Sequence, residues 1–447
     1  MSTDQYTSFY EEVQDKFFCE LEGYHPYGLG EWYIKYKLTP KKIHRICPLC
    51  NCTKTYIHEY KNRVICGGTF NGVPVIYTLL QPRCKCTLCT ETFVEEYEYL
   101  RSGYSIADEA EIFIKRMLGS MPMSLIANHL SLSVQTIANR AKEYAREERK
   151  VMLKGRYRYL SMDEVYIGRE SDNSHRIYWV LNDNSLPWKS NNIMICIGRT
   201  KSEVIEYLRK LEHGDEVAAV SIDMWMAYKD AIHEALPNAE VVIDRFHVMK
   251  NAEEAINNAR KNADCPNNIK VEMKKESSLF LKYWVKLTTD ELDSLDYYLS
   301  FDKKLEETYY FVQEFMDFYN QRDYDSALEY LCKWESKLLS SNVIDTIRPF
   351  YDTILNWLPE IMNYFLFRIT NGRTEGKNNL IRQINRMGFH YGLDCLQACI
   401  YSHDRNQEFT KWRRYQQKLK RRILKKNKTL NNRFVAEIGH TSTVAAA

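Results

Sequence analysis

This 447-residue sequence lacks the features of a membrane or secreted protein. No apolar run approaches the roughly 18 residues that a membrane-spanning helix needs. The first residues, MSTDQYTSFYEEVQDKF, have no basic segment followed by an apolar one, so we expect no secretory signal. An excess of one charge is also missing, because 62 Lys and Arg nearly balance 59 Asp and Glu. We therefore expect a cytoplasmic protein of about two to four globular domains, without a membrane partner.

One segment departs from this balance of charge. Between Lys411 and Lys428, ten of the eighteen residues are Lys or Arg. Such a run attracts nucleic-acid phosphate because binding releases condensed counterions. The alternative is a terminal helix with a solvated basic face. We predict a basic C-terminal tail over residues 406–447.

Clustered cysteines are the first positive feature. Seven of the thirteen cysteines fall between Cys47 and Cys89. Disulfides are improbable in the cytoplasm, so the clustering points to metal. Two C-x2-C pairs, Cys47 with Cys50 and Cys86 with Cys89, offer the four thiolates that structural zinc prefers. A cluster of reduced cysteines without metal is the alternative.

The residues between these pairs favour a ribbon of strands. They form β-branched and aromatic runs, which Gly-Gly and Asn-Gly turn signals separate. We predict a zinc ribbon over residues 46–100, in which Cys52, Cys66 and Cys84 are spare thiols able to change the ligand set. The aromatic extension over residues 1–45 suggests short helices and has no assigned role.

Residues 105–150 have the hydrophobic spacing of three helices. Ala127 within the second helix, and Val134 and Ile137 on the third, give the packing of a helix-turn-helix. Ser133 would cap the third helix. The alternative is that the three helices serve only as a packing module and do not bind DNA. If the unit binds DNA, the side chains that would face a major groove are those of Gln135, Thr136, Asn139 and Arg140.

Residues 157–265 alternate between apolar runs and amphipathic stretches. Three adjacent strands come first, followed by a helix, a strand, a helix and a strand. This is the order of elements in an RNase H-like fold. We therefore predict the first part of an α/β catalytic core over this range.

Two acids lie on apolar strands of this core. Asp163 is in the first strand, and Asp223 ends the fourth. If these strands are neighbours, the two carboxylates converge and can hold two divalent ions about 3.5–4 Å apart. Strand alternation turns Glu164 to the opposite face, so Asp163 is the preferred ligand. The alternative is that each acid ends its strand in a solvated loop.

A third acid is expected on a later helix. Glu375 lies in the first turn of a helix that follows the turn residues Asn371 and Gly372. Glycines and asparagines beside an acid suit a close approach of phosphate. A solvated helix start is the alternative. The basic residues near this acid, which we expect to contact DNA, are Arg373, Lys377, Arg382 and Arg386.

The long separation between the second and third acids predicts an insertion. Residues 266–365 have helical patterns rich in aromatic residues. We interpret these aromatic stripes as the core of an all-helical subdomain rather than as a stacking surface for bases.

Several blocks together resemble the DDE transposases of the ISL-three type of bacterial insertion sequences. The resemblance covers roughly residues 45–405. The blocks that carry it are the CPxC ribbon, the helix-turn-helix, Ser-Ile-Asp-Met-Trp at 221–225, Leu-Pro-Asn-Ala at 236–239, Asp-Arg-Phe-His-Val at 244–248 and Asn-Gly-Arg-Thr-Glu-Gly-Lys-Asn-Asn at 371–379.

The resemblance implies a metal-binding triad of Asp163, Asp223 and Glu375. It implies two Mg2+ (or Mn2+) ions per site, in-line displacement at DNA phosphodiesters and an element with terminal inverted repeats. Asp244 and His247 would support the site, orienting a metal-bound water or binding phosphate. For that pair a structural hydrogen bond in the core is the alternative. We expect a homodimer or larger assembly on double-stranded DNA, hence association with the nucleoid.

The expected protein is a multidomain α+β transposase. Its remaining segment, residues 366–405, would carry the final catalytic helix. Two other functions compete: a non-catalytic DNA-binding regulator on the same scaffold, and another RNase H-like nuclease. The three acids argue against the first, and the ribbon with the helix-turn-helix against the second.

Overall fold

The computed structural model describes residues 9–27, 31–43, 45–95, 97, 105–169 and 175–444. Two compact units share the chain. The first combines Met1–Arg149 with Gln383–Thr410, and the second combines Lys150–Arg382 with Lys411–Ala447. The structure mixes helices and strands in both units. Within the described part of the chain, no helix is long and apolar enough to cross a membrane.

The chain up to residue 153 forms five strands and four helices among its described residues. They are α1 (Phe9–Lys16), β1 (Phe17–Tyr27), β2 (Glu31–Pro40), β3 (Thr55–Phe70), β4 (Val73–Cys86), β5 (Thr92–Val94), α2 (Asp108–Met117), α3 (Met123–Leu130) and α4 (Val134–Leu153).

The strands and first helices of the second unit follow. They are β6 (Tyr159–Arg169), β7 (His175–Asp183), β8 (Asn191–Ile197), α5 (Lys201–Leu208), β9 (Ala219–Ile222), α6 (Met226–Ala235), β10 (Glu240–Ile243) and α7 (Arg245–Asn262).

The remaining helices complete the chain. They are α8 (Asn267–Lys275), α9 (Ser277–Leu281), α10 (Thr289–Leu299), α11 (Lys303–Phe318), α12 (Tyr324–Leu339), α13 (Ile344–Asn356), α14 (Leu358–Met362), α15 (Tyr364–Phe367), α16 (Gly372–Met387) and α17 (Leu393–Val444).

The first sheet corrects the expectation of short helices in residues 1–45. Among the residues of this range that the structure describes, only α1 is helical, while β1 and β2 form an antiparallel pair, and β2 runs parallel to β4. The sheet order is β1-β2-β4-β3, with β5 paired to β4. Ile34 and Leu38 are buried in its core. Their four-residue spacing fits one face of a strand as well as one face of a helix, so the pattern alone was ambiguous.

The two glycine signals in the ribbon have different outcomes. Asn71 and Gly72, both with positive φ, form the turn between β3 and β4, as their sequence predicts. The Gly67-Gly68 pair is not a turn. It lies inside β3, where the pairing with β4 shifts register between Cys66 and Thr69. Gly68 has a φ of 94°, which suits a bulge in a continuing strand.

The three-helix region has the three helices that its sequence pattern predicts, α2, α3 and α4. The expectation that Val134 packs in its core is wrong, because Val134 lies at the first position of α4 and is 50% exposed. Ser133 Oγ accepts a hydrogen bond from the Thr136 backbone N–H at 3.0 Å, which caps α4. Ala127 and Ile137 are buried. Ser131 ends α3 in the left-handed region, which turns the chain toward α4.

The second sheet has the order β10-β9-β6-β7-β8. Strands β6, β7 and β8 are antiparallel neighbours, while β9 and β10 run parallel to β6. The first and fourth strands of this sheet, β6 and β9, are therefore adjacent. Ser161 pairs with Ser221 across them.

Residues 266–365, all of them described, contain only helical elements and their connections. Most of the aromatic residues of this region are buried in the core of the second unit, which agrees with the interpretation of the stripes, although Tyr297 and Tyr310 are exposed. Buried examples are Tyr309, Phe315, Phe318, Trp334 and Phe350.

Candidate active site and cysteine group

The pairing of β6 with β9 brings two acids together. Asp163 lies two residues beyond Ser161, and Asp223 lies two residues beyond Ser221. Because the strands are parallel and in register at the serines, the carboxylates reach the same end of the sheet. Asp163 is only 9% exposed, whereas Asp223 is half-buried.

His247 joins these acids from the first turn of α7. Its Nε2 lies 2.8 Å from Asp223 Oδ1. One ligand atom from each of Asp163, Asp223 and His247 falls within 4.8 Å of the others. We call these three residues the acid group. Sequence reasoning gave His247 a supporting role only, because its place beside Asp223 depends on where β10 ends.

Charge and burial shift the pKa values within this group. Burial and the negative charge of Asp223 raise the pKa of Asp163 to about 7. Burial acts to lower the pKa of His247, but its hydrogen bond with Asp223 and the surrounding carboxylates raise it above its ordinary value. The group concentrates negative charge in a partly buried site, which favours a bound cation.

The start of α16 is fixed to the sheet by buried polar contacts. Asp244, only 1% exposed, accepts a hydrogen bond from the Asn371 backbone N–H at 3.0 Å. The Asn371 side chain donates to the Met162 carbonyl at 3.1 Å. The hydroxyls of Ser161 and Thr374 share a hydrogen bond of 2.6 Å. These contacts place the first turn of α16 beside β6 and β10.

Glu375 lies in that first turn and is half-buried. Its charge contributes to the raised pKa of Asp163 and of Asp244. It is not a member of the acid group. One turn later, Asn378 donates to Asp163 Oδ2 at 2.7 Å. Asn378 was not singled out from the sequence as a partner of Asp163, although its position one turn after Glu375 was the available signal for this contact.

Glu164 has different partners from Asp163. It accepts a hydrogen bond from the Tyr228 hydroxyl at 3.1 Å and lies 3.2 Å from Arg199 Nε. The acid next to Asp163 in sequence is thus engaged on another side of the strand.

Several buried oxygens near the acid group have no hydrogen-bond partner among the described residues. They include Asp244 Oδ2, Asn371 Oδ1 and Asn378 Oδ1. Buried acceptors are rarely left unsatisfied without a bound water or ion. Carboxylate and amide oxygens are the ligands that Mg2+ and Mn2+ prefer, so these residues fit a divalent ion.

The residues expected to contact DNA fall into two sets. On α4, Gln135 and Asn139 are exposed and hydrogen-bonded to each other at 2.9 Å, and Thr136 is half-buried. Arg140 is instead held against Glu111 at 2.6 Å. Near α16, Arg373 donates to the Leu186 and Pro187 carbonyls, Lys377 is buried, and Arg382 donates to Asn379.

The basic tail is helical as part of α17 over its described residues, which end at Val444. Where its side chains are described, its Lys and Arg residues beyond Lys411 are exposed. They are Arg413, Arg414, Lys418, Lys420, Arg421 and Arg422.

The four thiols of the two C-x2-C pairs meet at one point, and we call them the cysteine group. Cys47 Sγ lies 3.5 Å from Cys89 Sγ, and Cys50 Sγ lies 3.6 Å from the Sγ atoms of Cys86 and Cys89. A tetrahedral zinc with bonds of about 2.3 Å places its sulfurs about 3.8 Å apart. The group therefore fits zinc and a zinc ribbon.

The spare cysteines do not enter this group. Cys66 and Cys84 are buried, and Cys52 accepts a hydrogen bond from the Lys54 backbone N–H at 3.3 Å. Hydrogen bonds from the backbone N–H groups of Cys89 and Leu88 lower the pKa of Cys86 to about 6. Such N–H groups stabilise thiolates, which are the form that binds metal.

Comparison with known proteins identifies the class of this chain. The family model of ISL3-type DDE transposases, described as "Transposase", matches residues 160–400, more than half of the chain. The protein is thus a transposase, of a class that cuts and joins DNA. More narrowly, it belongs to the ISL3 family of DDE transposases, and the resemblance in its motifs is confirmed.

One curated relative and two solved structures are also similar. The transposase for insertion sequence element IS1001 of Bordetella parapertussis is 23% identical over 388 residues, covering 83% of this chain and 93% of that protein. The Drosophila P element transposase strand transfer complex is 12% identical with a TM-score of 0.37, covering 67% of this chain and 92% of that one. The Mos1 transposase paired-end complex with left transposon end is 12% identical with a TM-score of 0.15, covering 51% and 83%.

Proposed function

We propose that this transposase binds the terminal inverted repeats of its insertion sequence and catalyses metal-dependent DNA strand cleavage and strand transfer. The observation that carries the proposal is the acid group: Asp163 and Asp223 at matching positions on neighbouring parallel strands, with His247 beside them. Acids held this way at the end of a sheet are suited to divalent metal.

The proposed catalytic core is an RNase H-like domain. Its support is the order β10-β9-β6-β7-β8, with three antiparallel strands followed by two parallel ones. In this assignment residues 157–265 form the core together with the part of the range 366–405 that ends at Arg382, because Gln383–Thr410 groups with the first unit. Residues 266–365 form an insertion. Residues 46–100 form the zinc ribbon, 105–150 the helix-turn-helix and 406–447 the basic tail.

Asp163, Asp223 and Glu375 are the proposed ligands of two Mg2+ or Mn2+ ions. Bound there, the ions would lower the pKa of an attacking water or 3′-hydroxyl and stabilise the leaving oxygen. His247 adds an imidazole next to Asp223, which is compatible with Mn2+ as well. The unpartnered oxygens of Asp244, Asn371 and Asn378 support a polar, ion-binding interior.

The other residues of the site hold these acids in place. Asn378 donates to Asp163 Oδ2 and so fixes the direction of that carboxylate. Asp244 accepts from Asn371 and so anchors the turn that carries Glu375. Asp244 is therefore proposed as a positioning residue, because its Oδ1 is engaged with the backbone of α16.

DNA contacts are proposed for exposed polar and basic residues. Gln135 and Asn139 on α4 are exposed enough to enter a major groove. The exposed basic face of α17 suits phosphate. Arg140 and Arg373 are weaker candidates, since both already bond to protein groups. Synapsis of two element ends would require a homodimer or larger assembly.

The test of catalysis is border cleavage by matched variants. Purified full-length protein with Mg2+ is given labelled DNA that covers the borders of its own gene. We expect wild type and Glu164→Gln to cut at the borders, and Asp163→Asn to bind without cutting. Binding without cutting by wild type would instead support the non-catalytic regulator. Cutting of RNA–DNA hybrids without border preference would support another nuclease.

The test of the DNA-binding face compares two residues of α4. We expect Asn139→Ala to weaken border binding with little effect on stability, measured by fluorescence anisotropy and thermal unfolding. Arg140→Ala should mainly lower stability, because it breaks the contact with Glu111. The reverse pattern would remove α4 from the proposed interface.

A further inference from the structure

The loop of residues 388–392 joins α16 to α17 within the first unit. At its tip Phe389 is 88% exposed, more than any other large apolar side chain whose exposure the structure describes. A phenylalanine stabilises a fold through the burial of its ring, so this ring adds nothing to the packing of the unit. Another role is needed to explain an aromatic residue at this position.

The backbone at the tip of the loop is also unfavourable for a phenylalanine. Phe389 and His390 have φ angles of 52° and 70°, in the left-handed region. The Phe389 N–H donates to the Arg386 carbonyl at 3.2 Å, and the His390 N–H donates to the Asn385 carbonyl at 3.0 Å. Helices that end in this way usually have glycine in the left-handed position, because a side chain is strained there. The chain thus carries a strained, exposed ring where glycine would be more stable, which points to a role in binding.

The loop is fixed to α3, the second helix of the three-helix region. The Tyr391 hydroxyl accepts a hydrogen bond at 3.1 Å from the backbone N–H of Met123, the first residue of α3. The Tyr391 ring lies so close to Gly388 that a Cβ atom there would overlap it. The His390 ring and the Asn385 amide share a hydrogen bond of 3.1 Å. A loop held by these contacts presents its tip in one place before a partner arrives.

The charge around the loop is positive. No Asp or Glu occurs in the sequence between Glu375 and Asp394, and Asp394 is itself paired with Arg149 at 3.1 Å. The first turns of α3 and α4 also contain no acid. Arg386, three residues before Phe389, is exposed, and within the described part of the chain its side chain has no hydrogen bond or ion pair. A projecting apolar ring beside an unpaired cation is complementary to DNA, which combines phosphates with apolar groove walls.

From these observations we infer that Phe389 is a wedge that enters the minor groove of the element end and kinks the duplex, while Arg386 contacts a neighbouring phosphate. Apolar side chains that enter a base step from the minor groove kink DNA by about 20–90°. The kink buries the ring that the loop otherwise leaves in water, and both strands remain paired. This inference rests on the proposed function, which supplies the DNA.

The first experiment measures the kink directly. A short border duplex carries a donor dye at one end and an acceptor dye at the other, and full-length protein is added with Ca2+ to prevent cutting. We expect energy transfer to rise when wild type binds, because a kink brings the two ends closer together. Phe389→Gly should bind the duplex without this rise, since it removes the whole ring.

The same variant should make the protein more stable while it loses the kink. Glycine adopts the left-handed backbone of this position without strain, so we expect the midpoint of thermal unfolding of Phe389→Gly to rise by about 2–4 °C. A phenylalanine that served only the fold would show the opposite change. A lower midpoint would therefore overturn the inference, because the ring would then be explained by stability.

Three further variants assign the kink to the loop. Phe389→Leu keeps an apolar wedge and should retain most of the rise in energy transfer. Phe18→Ala removes another exposed phenyl ring of the first unit, 62% exposed, and should behave as wild type. Arg386→Gln should reduce the slope of log affinity against log salt concentration by about 1, because it removes one phosphate contact. An unchanged slope would remove Arg386 from the interface.

The outcomes separate this inference from the proposed function. If wild type binds and cuts border DNA without a rise in energy transfer, or Phe389→Gly gives the same rise, the wedge is wrong and the proposed function stands. Failure of wild type to bind border DNA would overturn both. Light scattering of the DNA-free protein tests the remaining partner. If Phe389→Gly kinks DNA as wild type does but has a lower mass, the loop contacts a second copy of the chain instead.

Discussion

The cysteine group and the acid group are both suited to metal, but the chain assembles them differently. The cysteine group comes from the turns flanking β3 and β4, which pair where Thr55 meets Cys86. The acid group comes from β6, the end of β9 and the start of α7. The first is local in sequence, whereas the second depends on the order of strands in a sheet.

The two groups also differ in whether their side chains fill the coordination shell of a metal ion. Four soft thiolates complete a tetrahedral shell, so the cysteine group is suited to a structural ion. The acid group has three members and adjoins a cavity of about 380 Å3 lined by Asp223 and His247. Space beside hard oxygen ligands is what a substrate phosphate requires. A closed site stabilises a fold, and an open one permits chemistry.

The largest expected effect tests zinc binding by the cysteine group. Cys47→Ser should release one zinc per chain and unfold the ribbon, because binding of structural zinc supplies about 10 kcal/mol or more of folding free energy. Elemental analysis and circular dichroism measure both. Cys52→Ser is the matched control, since Cys52 lies outside the group. Unchanged zinc in Cys47→Ser would contradict the assignment.

The next largest effect tests metal binding by the acid group. Asp163→Asn should slow border cutting at least about a thousandfold, because it removes a ligand whose effect is several kcal/mol. Without metal the same variant should be more stable by about 1 kcal/mol, since it removes a buried charge beside Asp223. Thermal unfolding with and without Mn2+ checks this. A variant that is both active and stabilised by Mn2+ would exclude Asp163 as a ligand.

A smaller effect is expected for the hydrogen bond that orients Asp163 in the acid group. Asn378→Ala removes the hydrogen bond to Asp163 Oδ2. Partners of metal ligands typically contribute about 10- to 100-fold to affinity or activity. We expect a loss of this size in the cutting rate, with a weaker Mn2+ affinity by calorimetry. Leu380→Ala, just over half a turn away on the same helix, offers a control for general damage to α16.

The smallest effect is expected for a hydrogen bond that stabilises the cysteine group. The Thr87 hydroxyl, inside the second C-x2-C pair, donates to the Lys54 carbonyl at 2.7 Å. This hydrogen bond links the second pair to the segment that follows the first pair. Thr87 is exposed, so Thr87→Val should cost less than about 1 kcal/mol. Competition with a chelator measures zinc affinity. A loss as large as that of Cys47→Ser would mean that the ribbon is held by more than its thiolates.

The comparison explains how far the sequence could be interpreted. Cysteine spacing identified the four thiols, because neighbouring turns decide which sulfurs meet. The strand pattern identified Asp163 and Asp223, because β6 and β9 pair in register. The membership of His247 was not predictable from spacing, since it requires β10 beside β9.

Other differences have equally local causes. The spacing of apolar residues in β2 suits either a helix or a strand, and only its pairing with β4 decides. The Gly67-Gly68 pair suits either a turn or a bulge. Charge alone suggested that Arg373 faces DNA, whereas backbone carbonyls at Leu186 and Pro187 already engage it.

Strand cleavage by Glu375→Gln tests the central claim most directly, because Glu375 is the acid most distant in sequence and lies outside the acid group. The measurement compares it with wild type on labelled border DNA in Mg2+. We expect wild type to cut at the borders and Glu375→Gln to bind the same DNA without cutting it. Equal cutting by both proteins would contradict the assignment of Glu375 and, with it, the proposed three-acid site.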